Sequence, residues 1–471
     1  MSTRHGFLSA DFIDHLHSNV PEYAKLTRRQ QWALADMLWC SSSKARRHSI
    51  LEDFQSFHYA ELENWFGREG FSRINERLQI FDVTPNWFYE EGATKGYRLR
   101  PKFQRILDSY FLDPGSSPSY LVTGNLRAIK KFRAAVASTD MRGSKATEWP
   151  CGSFLNCVPV RVDMLESLHA GLSEKFRSSC DQGSGEGSET IRRLLLSAAC
   201  AIRLSTSLSA RPGFMPHLYV EAESGRLYAR GLSLQNAPRI VKRAALYGLW
   251  DYDFSNCHFT IFAQMSERNG YRTEAIQDYL SRKAEIRQSI AQQASISVEQ
   301  AKQCLIAVMY GASTTLWYNN AIPREIGQDA AARLFAVPFF KDLVRDIYRG
   351  REVILNERPR TANWRLPNAM GKAIKFEKSK PMRAIAHLIQ GVEALALKST
   401  LELYNDEIVL LQHDGFAAHS RLDRLKIEQY VENRTGYRLT LDEKRIGFNS
   451  SELDVLVEGT HQNQKQEACK T

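Results

Sequence analysis

Trp250-Asp251-Tyr252-Asp253-Phe254-Ser255-Asn256-Cys257-His258-Phe259 alternates aromatic and acidic residues and then turns apolar. It has a counterpart far along the chain in Leu410-Leu411-Gln412-His413-Asp414-Gly415-Phe416. Each stretch sets a carboxylate among strand-forming apolar residues, where a charge is costly unless it binds a cation or is paired. Alternation along a strand puts Asp251 and Asp253 on one face. Two carboxylates converging from separate strands can hold two divalent cations about 4 Å apart, an arrangement that serves in-line displacement at phosphorus. Taken singly, an Asp at a strand edge reads as well as a turn or salt-bridge residue, so the surrounding segments carry the weight.

Upstream lie Ser224-Gly225-Arg226-Leu227-Tyr228 and Leu234-Gln235-Asn236-Ala237-Pro238-Arg239. Between the two acidic stretches lies Ala301-Lys302-Gln303-Cys304-Leu305-Ile306-Ala307-Val308-Met309-Tyr310-Gly311, and after it Leu388-Ile389-Gln390-Gly391-Val392-Glu393-Ala394. In this order and rough spacing the segments resemble the polymerase core of the family-A DNA polymerases, which include DNA polymerase I and its phage relatives. The phage-type single-subunit RNA polymerases are cousins. The resemblance spans roughly residues 190 to 455, and the set of motifs is specific although each alone is weak.

The resemblance implies an α+β right-hand polymerase, with an antiparallel palm sheet and helical fingers and thumb. It implies a DNA-directed DNA polymerase using two Mg²⁺ ions. The family pattern Asp-aromatic-Ser-Gln-x-Glu keeps register only from Asp253, which selects Asp253 over the runner-up Asp251. Asp414 is then the second shared carboxylate, and the backbone carbonyl of Phe254 a further metal ligand. By the same resemblance, Lys302, Ile306, Tyr310 and Gly311 belong to the helix that closes over the incoming nucleotide. Lys302 and Tyr310 lie near one helical face. His258 would sit beside the nucleotide sugar. Arg226, Gln235, Asn236, Gln390 and His413 would contact primer-template. The expected partners are DNA primer-template and nucleoside triphosphates, with other replication proteins possible and no membrane.

Three departures from the family pattern stand out. Val298 replaces a phosphate-binding Arg, for which Arg282 and Arg287 are candidate substitutes. Gly415 replaces the acidic residue that follows the second Asp in many DNA polymerases. His258 replaces the Glu that excludes a sugar 2′-hydroxyl, which clouds the sugar preference. A primase or RNA polymerase therefore remains an alternative, and a non-catalytic DNA-binding initiator is a second. No nuclease constellation is read in the N-terminal region, so no proofreading is expected. A small polymerase with its own DNA-binding module suits a plasmid, phage or mobile element.

The 471 residues suffice for two or three domains. Hydrophobic residues make up 43% and charged residues 25%, as in ordinary soluble proteins. The longest apolar run, Leu194 to Ile202, is far short of a membrane span. Met1-Ser2-Thr3-Arg4-His5-Gly6 has no apolar signal core, so a cytoplasmic location is expected. Eight scattered cysteines without CxxC spacing read as reduced core thiols. A net charge of +10 suits a polyanionic partner.

Residues 1–115 read as a mainly helical, winged-helix-like DNA-binding domain. Thr27 and Gln30 form a capping box. An apolar stripe makes Tyr59 to Phe66 a helix, and Ser72 is expected to cap the next one. Ile80–Val83 and Tyr97–Leu99 read as strands, with a flexible tip carrying Lys95 between them. Residues 116–155 read as a basic linker, with Arg127, Lys130, Lys131, Arg133, Arg142 and Lys145. Residues 156–210 read as thumb helices, Val162–Phe176 and Thr190–Ile202, around a low-complexity tip, Asp181 to Ser188. Residues 211–459 read as palm and fingers, and 460–471 as a disordered tail. Lys372, Lys375, Lys378 and Lys380 form a basic run that suits either a solvated face or a template contact.

Overall fold

The structure, a computed structural model, describes residues 4–27, 30–31, 33–34, 37, 54–57, 59–67, 70–84, 95–112, 118–123, 149–150 and 157–449, the last apart from 182–184, 207–208, 210, 231–232, 318–319 and 358–362. The N-terminal part runs β1 (Arg4–Ser9), α1 (Ala10–Asn19), α2 (Pro21–Ala24), β2 (Gln55–Ser56), α3 (Tyr59–Phe66), α4 (Gly70–Leu78), β3 (Phe81–Val83), β4 (Gly96–Leu99), α5 (Pro101–Leu112) and β5 (Pro118–Thr123). The middle runs β6 (Cys157–Pro159), α6 (Val162–Asp181), α7 (Gly185–Ser205), β7 (Phe214–Pro216), β8 (Leu218–Glu221), β9 (Leu227–Arg230), α8 (Arg239–Ala245), β10 (Trp250–Phe254) and α9 (Cys257–Arg268). There follow α10 (Glu274–Ser281), α11 (Lys283–Ala294), α12 (Val298–Met309), α13 (Ala321–Ile326), α14 (Gln328–Ala336) and α15 (Pro338–Glu357). The chain continues through β11 (Arg365–Pro367), β12 (Ala373–Lys375), α16 (Pro381–Leu403), β13 (Ile408–Leu411), β14 (Gly415–Ala418), α17 (Arg424–Thr435) and β15 (Leu441–Arg445). Helices dominate, and the sheets are small and antiparallel.

In the N-terminal part, the Thr27–Gln30 capping box forms in both directions, at 2.9 and 3.3 Å. The helix over Tyr59–Phe66 has the expected bounds. The next helix begins at Gly70, so Ser72 lies in its first turn and does not cap it. Phe71 explains the earlier start: it is buried between Phe66 and Phe81, with ring centroids at 5.0 and 5.7 Å. β3 and β4 pair antiparallel, and β2 adds a third strand that no sequence pattern announced. The tip at 85–94 lies outside the described residues, and so do the cations from Arg127 to Lys145 and the tail after 449. Residues 118–123 of the expected linker form β5, which pairs along its length with β1. Its Tyr120, Leu121 and Val122 are strand formers, and a strand partner from the N-terminus satisfies their backbone.

The helices expected at 162–176 and 190–202 are both longer than their apolar stripes. Gly185 to Ser188, expected in a loop, belongs to α7. Leu168, Leu172 and Phe176 of α6 are buried in one cluster with Leu195, Leu196 and Ala198 of α7. That packing carries the helices past residues of weak helix propensity.

A four-stranded antiparallel sheet, in the order β13-β14-β10-β15, lies between two hydrophobic clusters. Tyr252, Phe254, Phe416, Ala418 and Leu441 face the larger cluster, while Leu410, Ala417 and Ile446 belong to the other. Tyr252 is paired with Phe416 across the strands, and their rings stack at 4.9 Å. Such cross-strand pairs fix register. The register therefore sends Asp251 and Asp253 to the face opposite Tyr252 and Phe254. Among the described residues, no helix is long and apolar enough to cross a membrane. Cys157, Cys200, Cys257 and Cys304 are free thiols.

Candidate active site

Asp253 is the penultimate residue of β10 and Asp414 occupies the turn between β13 and β14. The Phe254 amide donates to the Asp414 carbonyl at 2.8 Å, which ties the two segments together. Both carboxyls line one cavity. Burial first, and then the charges of Asp414 and Asp251, hold the Asp253 carboxyl well above the usual carboxylate range. Two carboxylates this close cannot both ionise cheaply without a cation. Asp251 differs. It accepts from Gln412 Nε2 at 2.9 Å and lies 3.0 Å from Lys444 Nζ, so its charge is already balanced.

After Asp253 the chain leaves the strand through Ser255 and Asn256, and Asn256 adopts a left-handed conformation with φ of +47° just before α9. Asn tolerates that region better than most residues. The turn lets β10 deliver Asp253, and α9 deliver His258, to one cavity of about 340 Å³. Asp414, Lys302, Ile306 and Tyr310 line the same cavity, as does Asp442. Asp442 lies directly opposite Asp253 in the register of β15. The structure thus brings together Asp253, Phe254, His258, Lys302, Ile306, Tyr310 and Asp414.

The helix carrying Lys302 begins with a capping box between Ser297 and Gln300. It ends where Gly311 takes φ of +87°. Gly311 and Ala312 donate back to Val308 and Ala307, closing the last turn. A Cβ on Gly311 would also fall 2.4 Å from Met382 Cγ. Gly311 therefore terminates the helix and is not part of the cavity lining. Burial raises the pKa of the Tyr310 phenol, which leaves it a neutral hydroxyl.

The two arginines named as candidates for the role missing at Val298 are placed differently. Arg287 lines it and Arg282 does not. Arg282 is instead paired with Asp278 at 3.0 Å. Lys283, one turn before Arg287 on α11, also lines the cavity and lies 3.2 Å from Ser255 Oγ. Arg287 is held by the Tyr279 hydroxyl and by Asn256 Oδ1, at 2.9 and 3.4 Å. Lys283 was not singled out from the sequence, although its i, i+4 spacing to Arg287 is visible there.

The residues expected at primer-template are more scattered. Gln235 is buried, and its amide bonds Ala229 N, Leu227 O and Leu411 O at 2.7, 3.0 and 3.2 Å. It stitches β9 to β13, with both amide hydrogens donated to backbone carbonyls. Asn236 likewise donates to Ala229 O at 3.2 Å. Arg226 is buried in an ion pair with Glu393 rather than presented on an open face. Gln390 is half-buried on α16, and His413 is exposed, its ring 5.2 Å from that of Tyr228. In the basic run, Lys372 pairs with Glu221 at 2.9 Å and Lys380 with Glu377 at 3.0 Å.

Glu393 is the residue that sequence reading passed over. It is fully buried, and its Oε2 meets both Arg226 Nη2 and His258 Nε2. A carboxylate on the apolar face of a helix, between Ile389 and Leu397, was the available signal.

Hard oxygen donors from Asp253 and Asp414 suit Mg²⁺, which is commonly held by one or two carboxylates together with substrate phosphates. Among the described residues no group of three or more His, Cys, Asp or Glu side chains is arranged to hold a metal ion alone. Substrate oxygens would have to complete the coordination.

No family model matches this chain, and no curated protein matches it. Among solved structures it is similar to the "POL domain of Pol1 from M. smegmatis complex with DNA primer-template and dNTP". The two share 13% sequence identity and a TM-score of 0.41, over 64% of this chain and 68% of that one. The activity has to be read from the site itself.

Proposed function

We propose that this chain is a template-directed nucleotidyltransferase, a DNA polymerase of the right-hand type without proofreading, serving a plasmid, phage or mobile element. One observation carries the reading. A carboxylate pair, Asp253 and Asp414, lines one side of a cavity whose other lining includes Lys283, Arg287 and Lys302. That polarity matches a nucleoside triphosphate, with its reacting phosphate toward the carboxylates and its remaining charge toward the cations.

In the reaction, a primer 3′-hydroxyl attacks the α-phosphate and pyrophosphate leaves. Asp253, Asp414 and the Phe254 carbonyl would hold the Mg²⁺ ions, which supply activation of the hydroxyl and neutralisation of the leaving group. The protein's own groups do the rest. Lys302, Lys283 and Arg287 neutralise and orient the triphosphate. Tyr310 and Ile306 wall the base and sugar, and His258 stands where the sugar 2′ position would lie. His413, exposed on the turn beside Asp414, is placed to meet the primer end. The N-terminal module would bind the DNA.

His258 also favours a second reading, in which the same chemistry makes RNA, because the carboxylate expected there is absent. Primer extension on a DNA template, with dNTPs and rNTPs offered separately, tests both. Mg²⁺-dependent extension with dNTPs is expected. Preference for rNTPs selects the second reading, and no incorporation of either overturns the proposal.

A further inference from the structure

His258, Tyr310, Arg226 and Glu393 come from four separate motifs and meet in one hydrogen-bonded chain. His258 and Tyr310 line the cavity, while Glu393 and Arg226 stand behind them in the core. Glu393 Oε2 lies 2.5 Å from His258 Nε2 and also accepts from Arg226 Nη2. The other ring nitrogen, Nδ1, lies 2.7 Å from the Tyr310 hydroxyl. Glu393 Oε1 and Arg226 Nε have no hydrogen-bond partner among the described residues.

The donor inventory orders this chain. A carboxylate only accepts and a guanidinium only donates. His258 Nε2 also lies 2.7 Å from Arg226 Nη2. A single ring nitrogen cannot serve both neighbours in opposite senses, and the pairing of opposite polarity is with Glu393. Two donors, from Arg226 and His258, therefore converge on one carboxylate oxygen. With the proton on Nε2, a neutral ring leaves Nδ1 to accept from Tyr310. The ring plane of His258 and the hydroxyl of Tyr310 are thus both referred back to a carboxylate buried in the core.

We infer that Glu393 is a positioning residue that sets the sugar preference of the site, by fixing the His258 ring against the 2′ position of the incoming nucleotide. The inference rests on the polymerase reading, from which it takes the place of the sugar. A carboxylate absent from position 258 acts here from α16, through an imidazole. Discrimination then depends on how rigidly the ring is held, because an imidazole free to swing would admit a 2′-hydroxyl that a fixed one excludes. Arg226 is part of the same hold, since its guanidinium donates to the Glu393 oxygen that meets His258.

The test compares kcat/KM for dNTP and rNTP on one primer-template, using the full chain and its Glu393→Gln and Glu393→Asp variants. Glu393→Gln removes the charge. Glu393→Asp keeps a charge for Arg226 but withdraws the carboxylate from His258, and it stands in if the Gln variant fails to fold. Taking the ratio of the two sugars on one preparation cancels any inactive fraction. The ratio is expected to shift about 10-fold, with most of the change in the rNTP arm. In a His258→Ala background the same substitutions should add nothing. A ratio that stays put while both rates fall together would make Glu393 merely structural and overturn the inference. An equal shift in the His258→Ala background would also overturn it. If the unaltered protein extends no primer with either sugar, the polymerase reading falls and takes this inference with it.

Discussion

Asp253→Asn should make the metal-free protein more stable while removing its activity. The charge on Asp253 is opposed by its own burial and by the carboxylates of Asp414 and Asp251. An amide keeps the shape, carries no charge, and adds no repulsion toward Asp414 or Asp251. The sign follows from proton binding. The folded carboxyl holds its proton more tightly than the unfolded one, so the penalty is absent in acid. It grows as the pH rises above the ordinary carboxylate range, and it is complete once the folded group has ionised. One pKa unit corresponds to about 1.4 kcal/mol, but Asp253 is open to solvent on the cavity side, so screening reduces the relief to on the order of 1 kcal/mol. For a unit of 150–250 residues that raises Tm by roughly 2–4 °C. Thermal unfolding in EDTA at pH 8 reads this directly. In the unaltered protein, Mg²⁺ should restore stability by about 1.4 kcal/mol at ten times its dissociation constant. The variant should gain little. Its primer extension should fall by about three orders of magnitude, and adding Asp414→Asn should cost little more, because the pair acts as a unit. An Asp253→Asn protein that melts lower in EDTA, or extends primers at a near-normal rate, would refute the assignment of the metal-binding pair.

Lys283→Ala and Arg287→Ala should each raise the nucleotide KM about 3- to 10-fold, modest because both side chains are partly solvated, whereas Arg282→Ala should leave it unchanged. Steady-state kinetics with a saturating primer-template decides, and equal effects at all three positions would count against the α11 phosphate face. A fragment beginning at Trp149 should retain chemistry but bind DNA more weakly and with greater salt sensitivity. One beginning at Ser153 should be less stable by about 3 kcal/mol and so melt lower, because it loses a Trp that is buried in the main core and bonded to Glu221 at 3.4 Å. Equal melting of the two fragments would show that Trp149 is not integral to that core. His217 is fully buried, accepts from the Leu234 amide at 2.9 Å, and is pushed down by burial to a pKa of about 4. The unfolded chain therefore binds a proton that the fold refuses, so stability should be lost as the pH falls from about 6.5 towards 4. His217→Gln should flatten that slope in denaturant titrations, and an unchanged slope would assign the acid sensitivity to other groups.

The strand at Trp250–Phe254 and the helix at 59–66 could be read from local pattern, because alternation and apolar stripes lie within a few positions of one another, whereas the helix at 298–309 came through the family resemblance. Gln235 could not. A Gln in a turn looks the same whether its amide reaches nucleic acid or, as here, three backbone groups from two strands, one of them 176 residues away. Which of Arg282 and Arg287 lines the cavity likewise could not be read locally, since Arg282 pairs with Asp278 on the helix surface. The ends of α7 and the strand at 118–123 were set by partners distant in sequence, the packed face of α6 and the N-terminal strand β1, and tertiary packing outweighs weak local propensity in both.

The two acidic positions that the sequence lacks make the same point from the side of function. At position 415 a side chain has no room, since a Cβ there would stand 2.2 Å from the Tyr252 carbonyl oxygen. That distance is to backbone, so the sheet register itself demands glycine. The register also sets Asp442 beside Asp253 on the same face, from a strand that local reading had no reason to connect with it. At position 258 the carboxylate is missing from the helix, and Glu393 brings one within 2.5 Å of the histidine that took its place. In both cases the local breach of pattern is offset by a neighbour supplied through the fold. Local pattern alone shows neither neighbour, because each is brought to its place by strand register or by helix packing.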